Sequence, residues 1–263
     1  MSVGKTLLNA KLVERIDITD NLSIFKVLPD SGVPNFTPGQ YVALGLYGSA
    51  PRKEGLPLED TPPPAEKIIK RAYSIGSSPE DKNSLEFYIA IVPDGALTSR
   101  IALLNPGERL YIAPRITGTF TLNEAPEGSN LVFVATGTGI APYISMLRYP
   151  ATWEKFNNIT LIHGVRFSSD FAYSEELQFL EKSSKIFHYY PIVSRDSKGW
   201  TGKRGYVQSL LQDGTIKLNP LQDHLFVCGN PAMIQDLEEL LTANGYKTHK
   251  RREPGNLHIE KYW

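Results

Sequence analysis

Arg71-Ala72-Tyr73-Ser74 sets a cation, a flat ring and a hydroxyl on consecutive residues that read as a strand, followed by Ile75-Gly76. Alternate strand residues share a face, so Arg71 and Tyr73 point one way and Ser74 the other. The chemistry on offer is a phosphate clamp beside an aromatic platform, although any half-exposed strand could carry an arginine next to an aromatic. A second cluster, Thr136-Gly137-Thr138-Gly139-Ile140-Ala141-Pro142, follows an apolar run. Two glycines there would let a ligand approach the backbone, and Pro142 suits the first turn of a helix whose N–H groups and dipole favour a diphosphate. Pro142 and Tyr143 stand where the third glycine of a dinucleotide fingerprint would be, so a purely structural strand-to-helix turn stays open.

Readers of plain NAD place an acidic residue after the next strand to hold the ribose hydroxyl. This chain has His163-Gly164-Val165-Arg166 at that place, then Ser194-Arg195 after the following run, with Arg204 and Tyr206 shortly beyond. Three guanidinium groups and a phenol at neighbouring strand exits can surround a phosphate and flank an adenine, which favours NADP. Taken singly, each arginine is equally well a solvated surface charge, and Asp170 would oppose the reading if it faced the same site. Cys228-Gly229-Asn230-Pro231 leads into another helix, with Cys228 read as a ligand contact or a small buried hydrophobe. No histidine accompanies it at the spacing of a nucleophile and its base. His258-Ile259-Glu260-Lys261-Tyr262-Trp263 alternates apolar and polar residues as an edge strand does. Its two closing aromatics require burial, against a flat cofactor or against the protein's own core.

Two kinds of scaffold must hold these groups. Short alternating segments at residues 7–13, 22–27, 41–46, 71–75, 85–91 and 109–112, punctuated by Pro38-Gly39 and Pro106-Gly107, predict an antiparallel barrel or sandwich. Leu97, Ile101 and Leu104 predict one helix within it, from near Leu97 to before Gly107. Later the pattern changes to apolar runs at 131–135, 159–164, 186–193 and 225–228, alternating with helical stretches at 141–147, 174–181, 206–211 and 232–244. That alternation predicts an open parallel sheet covered on both faces. The expected domains are residues 1–118 and 125–263, with residues 51–70, which include Pro62-Pro63-Pro64, as an exposed loop of no assigned role.

With 263 residues, 41% of them hydrophobic and 21% charged, the chain has the balance of a globular protein with room for two cores. It has 28 basic and 28 acidic residues, so no global field draws it to nucleic acid or anionic lipid. No run reaches the roughly 18 apolar residues of a spanning helix, and the first residues lack the layout of an export signal, so the cytoplasm is the expected address. The single cysteine, Cys228, rules out an internal disulfide, a four-thiolate iron-sulfur cluster and a cysteine-rich zinc site within the chain.

Taken in order, Arg71-Ala72-Tyr73-Ser74, the run from Val92 through Pro93-Asp94-Gly95-Ala96-Leu97-Thr98-Ser99, the Gly137 loop, Cys228-Gly229-Asn230-Pro231-Ala232-Met233 and Tyr262-Trp263 resemble the ferredoxin-NADP+ reductase family over nearly the whole length. The likeness is nearest to the bacterial branch whose chains end in Tyr-Trp. It implies a β-barrel FAD-binding domain followed by an NADP(H)-binding α/β domain, acting with ferredoxin or flavodoxin, an acidic small electron carrier, and the expected state is a monomer. By that resemblance Arg71 pairs with the FAD diphosphate, Tyr73 stacks on the flavin, and Ser74 bonds near its N5. Ala72, Tyr88, Ile89, Ala90, Ile91, Ala96, Leu97 and Thr98 enclose the rest of the FAD. Thr138 lies where flavin and nicotinamide meet, and Gly139 contacts NADP. Ser194, Arg195, Arg204 and Tyr206 take the 2′-phosphate, and Val165, Arg166, Gly229, Asn230 and Met233 add NADP contacts. Tyr262 covers the other flavin face, Trp263 reaches the adenine of a folded FAD, and Cys228 and Glu260 flank the reacting atoms. Ser74, Cys228, Glu260 and Tyr262 are therefore the expected catalytic set. The choice of FAD over FMN rests on the resemblance and on the terminal Trp263. A flavin reductase serving another acceptor and a non-enzymatic flavin or nucleotide sensor are the alternative readings. The 51–70 segment is longer than the resemblance implies.

Overall fold

Alternation governs the first part of the chain: Ser23, Phe25 and Val27 are buried on one strand while Lys26 and Leu28 between and after them are not. The structure, a computed structural model, describes residues 7–195 and 199–261. It divides into two units, Met1–Thr119 and Phe120–Trp263. No helix among the described residues is long and apolar enough to cross a membrane.

The first unit holds β1 (Ala10–Thr19), β2 (Leu22–Pro29), β3 (Tyr41–Tyr47), β4 (Ile68–Ser74), β5 (Leu85–Ala90) and β6 (Arg109–Ile112). They form an antiparallel sheet in the order β4-β3-β6-β1-β2-β5. Just past β4, the Gly76 N–H donates to the Glu86 carbonyl of β5 at 2.8 Å, so the two edge strands curl towards each other. Leu12, Phe25, Leu44, Phe87 and Leu97 lie in the core so enclosed. Compared with expectation, β1 continues well beyond residue 13 to Thr19, because it pairs with β2 as far as Thr19↔Leu22. Its second half has no buried residue, and so no alternation marks it in the sequence. The expected helix reduces to one turn, α1 (Thr98–Ile101), although Leu97, Ile101 and Leu104 are all buried as their spacing requires.

The expected loop holds over residues 51–67, which carry no helix or strand and are exposed or half-buried, but residues 68–70 belong to β4 and the loop is tied down. Ile68 and Ile69 are buried at the start of β4, and Gly48 and Ser49 donate to the Lys67 and Ala65 carbonyls. Arg100 has 4% of its side chain exposed and grips Glu59 with both arms, at 2.7 and 2.9 Å. It donates also to the Gly48 and Ala96 carbonyls. A buried guanidinium persists only when its N–H groups meet acceptors, and this carboxylate supplies the counter-charge. Arg100 in turn holds the Glu59 carboxyl below its usual range.

The second unit holds β7 (Asn130–Thr136), β8 (Asn158–Val165), β9 (Phe187–Val193), β10 (Lys203–Arg204), β11 (Asp223–Gly229) and β12 (Leu257–Lys261). They pair in parallel in the order β10-β9-β8-β7-β11-β12. The helices are α2 (Ala141–Leu147), α3 (Pro150–Lys155), α4 (Ser174–Ser183), α5 (Ser209–Gln212) and α6 (Pro231–Ala243). Val132 and Val134 pack with Leu210 of α5 and Ile234 and Leu237 of α6, whereas Phe133, between them, stacks on Tyr143 of α2 at 4.6 Å. Both faces of β7 are thus covered, as a parallel sheet demands. Helix α3 has no counterpart in the sequence reading, since it is short and buries only Thr152. Strand β12 is the edge strand expected.

Three imidazoles gather at the β11–β12 edge. The His258 ring stacks on Phe226 at 4.2 Å and on His249 at 4.8 Å, and its Nε2 lies 3.3 Å from His224 Nδ1. Burial first, then His249 and His224, push the His258 pKa down to about 3. The unfolded chain takes up this proton near pH 6.5 and the folded one only near 3, so stability present above pH 6.5 drains away as pH falls through that window. Denaturant titrations at pH 7 and 4 should show His258→Phe losing less stability than the parent, by on the order of 2 to 3 kcal/mol; equal losses would refute the assignment. Arg100→Ala should lower stability by about 3 kcal/mol and open residues 51–67 to trypsin, read by limited proteolysis.

Candidate active site

In the first unit the expected site residues 71–74 lie on β4. Leu44↔Arg71, Val42↔Tyr73 and Tyr41↔Ser74 tie one side of that strand to β3, and its other side is a sheet edge. Arg71 and Ala72 are exposed, with the Arg71 guanidinium donating to the Lys70 carbonyl at 2.8 Å. Tyr73 packs its ring against the barrel core, and Ser74 is buried. The Tyr73 phenol oxygen is buried with no hydrogen-bond partner among the described residues. Burial drives its pKa up, against the opposing pull of Arg71, so it stays a neutral donor. A buried hydroxyl without a partner is costly.

Tyr88, Ile89, Ile91, Leu97 and Thr98 are buried, while Ala90 and Ala96 are half-buried. Ile89 and Leu97 belong to the core, and the Thr98 hydroxyl is bonded to the Val92 N–H and carbonyl at 3.1 and 3.2 Å. A ligand along β5 would therefore meet backbone at these positions more than side chains.

In the second unit, β7 runs into a 3-10 turn, Gly137–Ile140, and then α2 with Pro142 in its first turn. The two glycines of the turn do different work. Gly137 has φ +54° and open space around its α-carbon, while a Cβ on Gly139 would stand 2.5 Å from the Cys228 carbonyl oxygen. Gly139 thus serves the seating of the turn on the end of β11, and only Gly137 offers the open approach expected of both. From the other side, Gly229 at φ +140° leaves room for Thr136, whose hydroxyl accepts the Asn230 N–H at 2.9 Å. The Asn230 carboxamide oxygen accepts from Ala232 and Met233 and caps α6. Met233 and Val165 are both buried. Cys228 and Glu260 face each other in register on β11 and β12, with Sγ 3.9 Å from the Glu260 carboxylate.

The arginine exits are laced together by backbone. Ser194 and Arg195 donate to the Val165 and Arg166 carbonyls, and Gly205 donates to Val193. Arg166, Arg195 and Arg204 are all exposed on this edge, as is Tyr206, with Arg204 donating to the Trp200 carbonyl at 2.7 Å. The Asp170 carboxylate accepts the Phe167 N–H, closing the turn Ser168–Asp170. Gln208 escaped the sequence reading: it lines a cleft with Tyr206, Ser209 and Asp236, and its Oε1 is buried with no partner among the described residues. It lies between β10 and α5, where neither a strand nor a helix period marks a residue. Thr138 is half-buried. Tyr262 and Trp263 lie outside the described residues.

The family model for the oxidoreductase NAD-binding domain matches residues 133–239. A flavodoxin/ferredoxin–NADP reductase from Buchnera aphidicola is 34% identical over 98% of this chain and 99% of its own. The Escherichia coli protein of the same name is 33% identical, over 92% of this chain and 93% of its own. This chain belongs to the ferredoxin/flavodoxin–NADP reductase family. A crystal structure of a ferredoxin NADP+ reductase from Neisseria gonorrhoeae with bound FAD and NADP is similar at TM-score 0.83 and 27% identity, covering 98% of this chain and all of that one. As a member of an oxidoreductase family, the chain carries its family-model match on the unit that holds the Gly137 turn and the arginine exits.

Substitution separates the two glycines of the turn. Gly139→Ala should lower stability by about 1 to 3 kcal/mol through overlap with Cys228, and Gly137→Ala by about 1 to 2 kcal/mol through its left-handed φ alone. Thermal unfolding with far-UV detection checks both, and an unchanged midpoint for Gly139→Ala would contradict the close approach.

Proposed function

We propose that this protein is an FAD-dependent ferredoxin/flavodoxin–NADP+ reductase. One observation carries the reading: exposed Arg166, Arg195 and Arg204 share the carboxyl edge of a parallel sheet with the Gly137 turn, where a dinucleotide's 2′-phosphate and diphosphate would each find donors. FAD, when bound, supplies the exchange of a hydride with NADP(H) and of single electrons with the carrier.

The residues have separable tasks. Arg71 neutralises the FAD diphosphate, the neutral Tyr73 phenol donates to a ligand oxygen while its ring lies against the flavin, and Ser74 bonds near the flavin N5. Main chain from Tyr88 to Ile91 and from Ala96 to Thr98 holds the rest of the FAD. Arg195, Arg204, Ser194 and Tyr206 select NADP(H) over NAD(H) through the 2′-phosphate, with Arg166 as a further contact and Gln208 available to an adenine. Cys228 and Glu260, already paired, line the nicotinamide end of that site. Thr138 lies beside them on the turn. Tyr262 occupies the nicotinamide position at rest and gives way to it, and Trp263 covers the FAD adenine. The protein works in the cytoplasm as a monomer, and an acidic carrier docks near exposed Lys247, Lys250, Arg251 and Arg252.

The purified protein should be yellow, release FAD on denaturation, and bleach with NADPH far faster than with NADH. Arg195→Ala and Arg204→Ala should each raise the KM for NADPH by about tenfold or more with little change for NADH. Tyr262→Ser should tighten nicotinamide binding and relax that selectivity. A colourless protein that takes up no flavin would sink the proposal.

A further inference from the structure

His163 stands on β8 in register with Ala135 and has no exposed surface. Its Nε2 lies 3.1 Å from the Gly137 carbonyl oxygen, its ring packs edge-on against Phe171 at 5.3 Å, and its Nδ1 is buried with no partner among the described residues. A carbonyl can only accept, so Nε2 carries the hydrogen and Nδ1 keeps a bare lone pair. Burial pushes the pKa down to about 4, the Gly137 carbonyl pulling the other way. On the segment beyond β8, Arg166 is exposed and the Asp170 carboxylate accepts the Phe167 N–H. The ring is therefore neutral at physiological pH. Nothing in the reaction outlined above uses it, and the geometry that engages it is the bond from Nε2 to the Gly137 carbonyl.

The role follows from peptide geometry. In a trans peptide the carbonyl of one residue and the N–H of the next point in opposite directions. A carbonyl of Gly137 held by His163, beneath the turn, turns the Thr138 N–H the other way. Rotating that peptide plane turns ψ of Gly137 and φ of Thr138 together: Gly137, at φ +54° with open space where a Cβ would stand, resists little, so the resistance comes from Thr138, the 3-10 turn Gly137–Ile140 and the bond to His163. A rotated plane would present an oxygen where an anionic diphosphate requires a donor. We propose that His163 is a positioning residue that locks the Gly137–Thr138 peptide plane with its N–H available to the diphosphate of NADP(H). This rests on reading the Gly137 turn as the diphosphate cradle, and it gives a chemical purpose to a histidine that touches no substrate.

The test separates the diphosphate from the rest of the nucleotide. NADP+ carries both halves, whereas 2′-AMP carries the adenine and 2′-phosphate without a diphosphate. In the FAD-loaded enzyme, His163→Leu should weaken NADP+ by on the order of tenfold or more and slow hydride transfer in stopped flow. Its affinity for 2′-AMP should stay within about twofold of the parent's. His163→Gln, whose amide N–H can take the place of Nε2, should recover most of the loss. Histidine ring 15N spectra of the unsubstituted protein provide a check that no folding defect can blur: they should show the Nε2–H tautomer for His163, with signals that move on adding NADP+ and stay still on adding 2′-AMP. An Nδ1–H tautomer, equal weakening of both ligands, or unchanged NADP+ binding in His163→Leu would overturn the inference while leaving the functional reading intact. Failure of the parent protein to bind NADP+ at all would overturn both.

Discussion

The contact between the turn after β7 and the end of β11 is the constraint on which the second unit turns. Gly139 lies against the Cys228 carbonyl, Gly229 makes room for Thr136, and the Thr136 hydroxyl takes the Asn230 N–H. Each half of this junction fits only because the other lacks a side chain. Several sequence-prominent residues are thereby explained as joinery. Asn230 caps α6, Met233 and Val165 fill the core, and Gly139 is a spacer. The junction also brings the Gly137 turn and Cys228, with Glu260 beside it, to one edge of the sheet.

The first unit relies on a different device. Its barrel presents edge strands β4 and β5 whose outward main-chain groups can receive a ligand, and the side chains between them are largely spent on the core. Sparse side-chain chemistry on a well-packed frame suits a flat, polar-edged molecule, because backbone donors and acceptors recur at fixed intervals along a strand while side chains need individual placement.

Much of this was legible in advance where one local signal sufficed. Apolar runs ending in glycine located β7, β8 and β11, Pro142 and Pro231 located the starts of α2 and α6, and the alternation of residues 258–261 located β12. Features depending on distant partners were not legible. Glu59 and Arg100 are 41 positions apart and meet only once the barrel has closed, so the 51–70 segment looked like unstructured connection. The outer half of β1 is exposed and carries no period, and α3 buries too little to show one. Within the site the residue types were readable, but their division of labour was not: nothing in Gly-Thr-Gly distinguishes the glycine that yields space from the one that fits against a neighbour, and His163 reads as an ordinary core residue until its carbonyl partner is known.

The clamp on Arg100 has an evolutionary corollary. Two of its acceptors, the carbonyls of Gly48 and Ala96, belong to the barrel proper, and the third is a single carboxylate delivered by the long loop. A lineage that lengthened, shortened or replaced that stretch would have to deliver an acidic side chain to the guanidinium and also remake the main-chain bonds of Lys53 to Ser99 and of Gly48 to Lys67. The loop is in this sense stitched down along its length, its proline run lying so close that a Cβ on Gly48 would stand 2.3 Å from the Pro64 carbonyl oxygen.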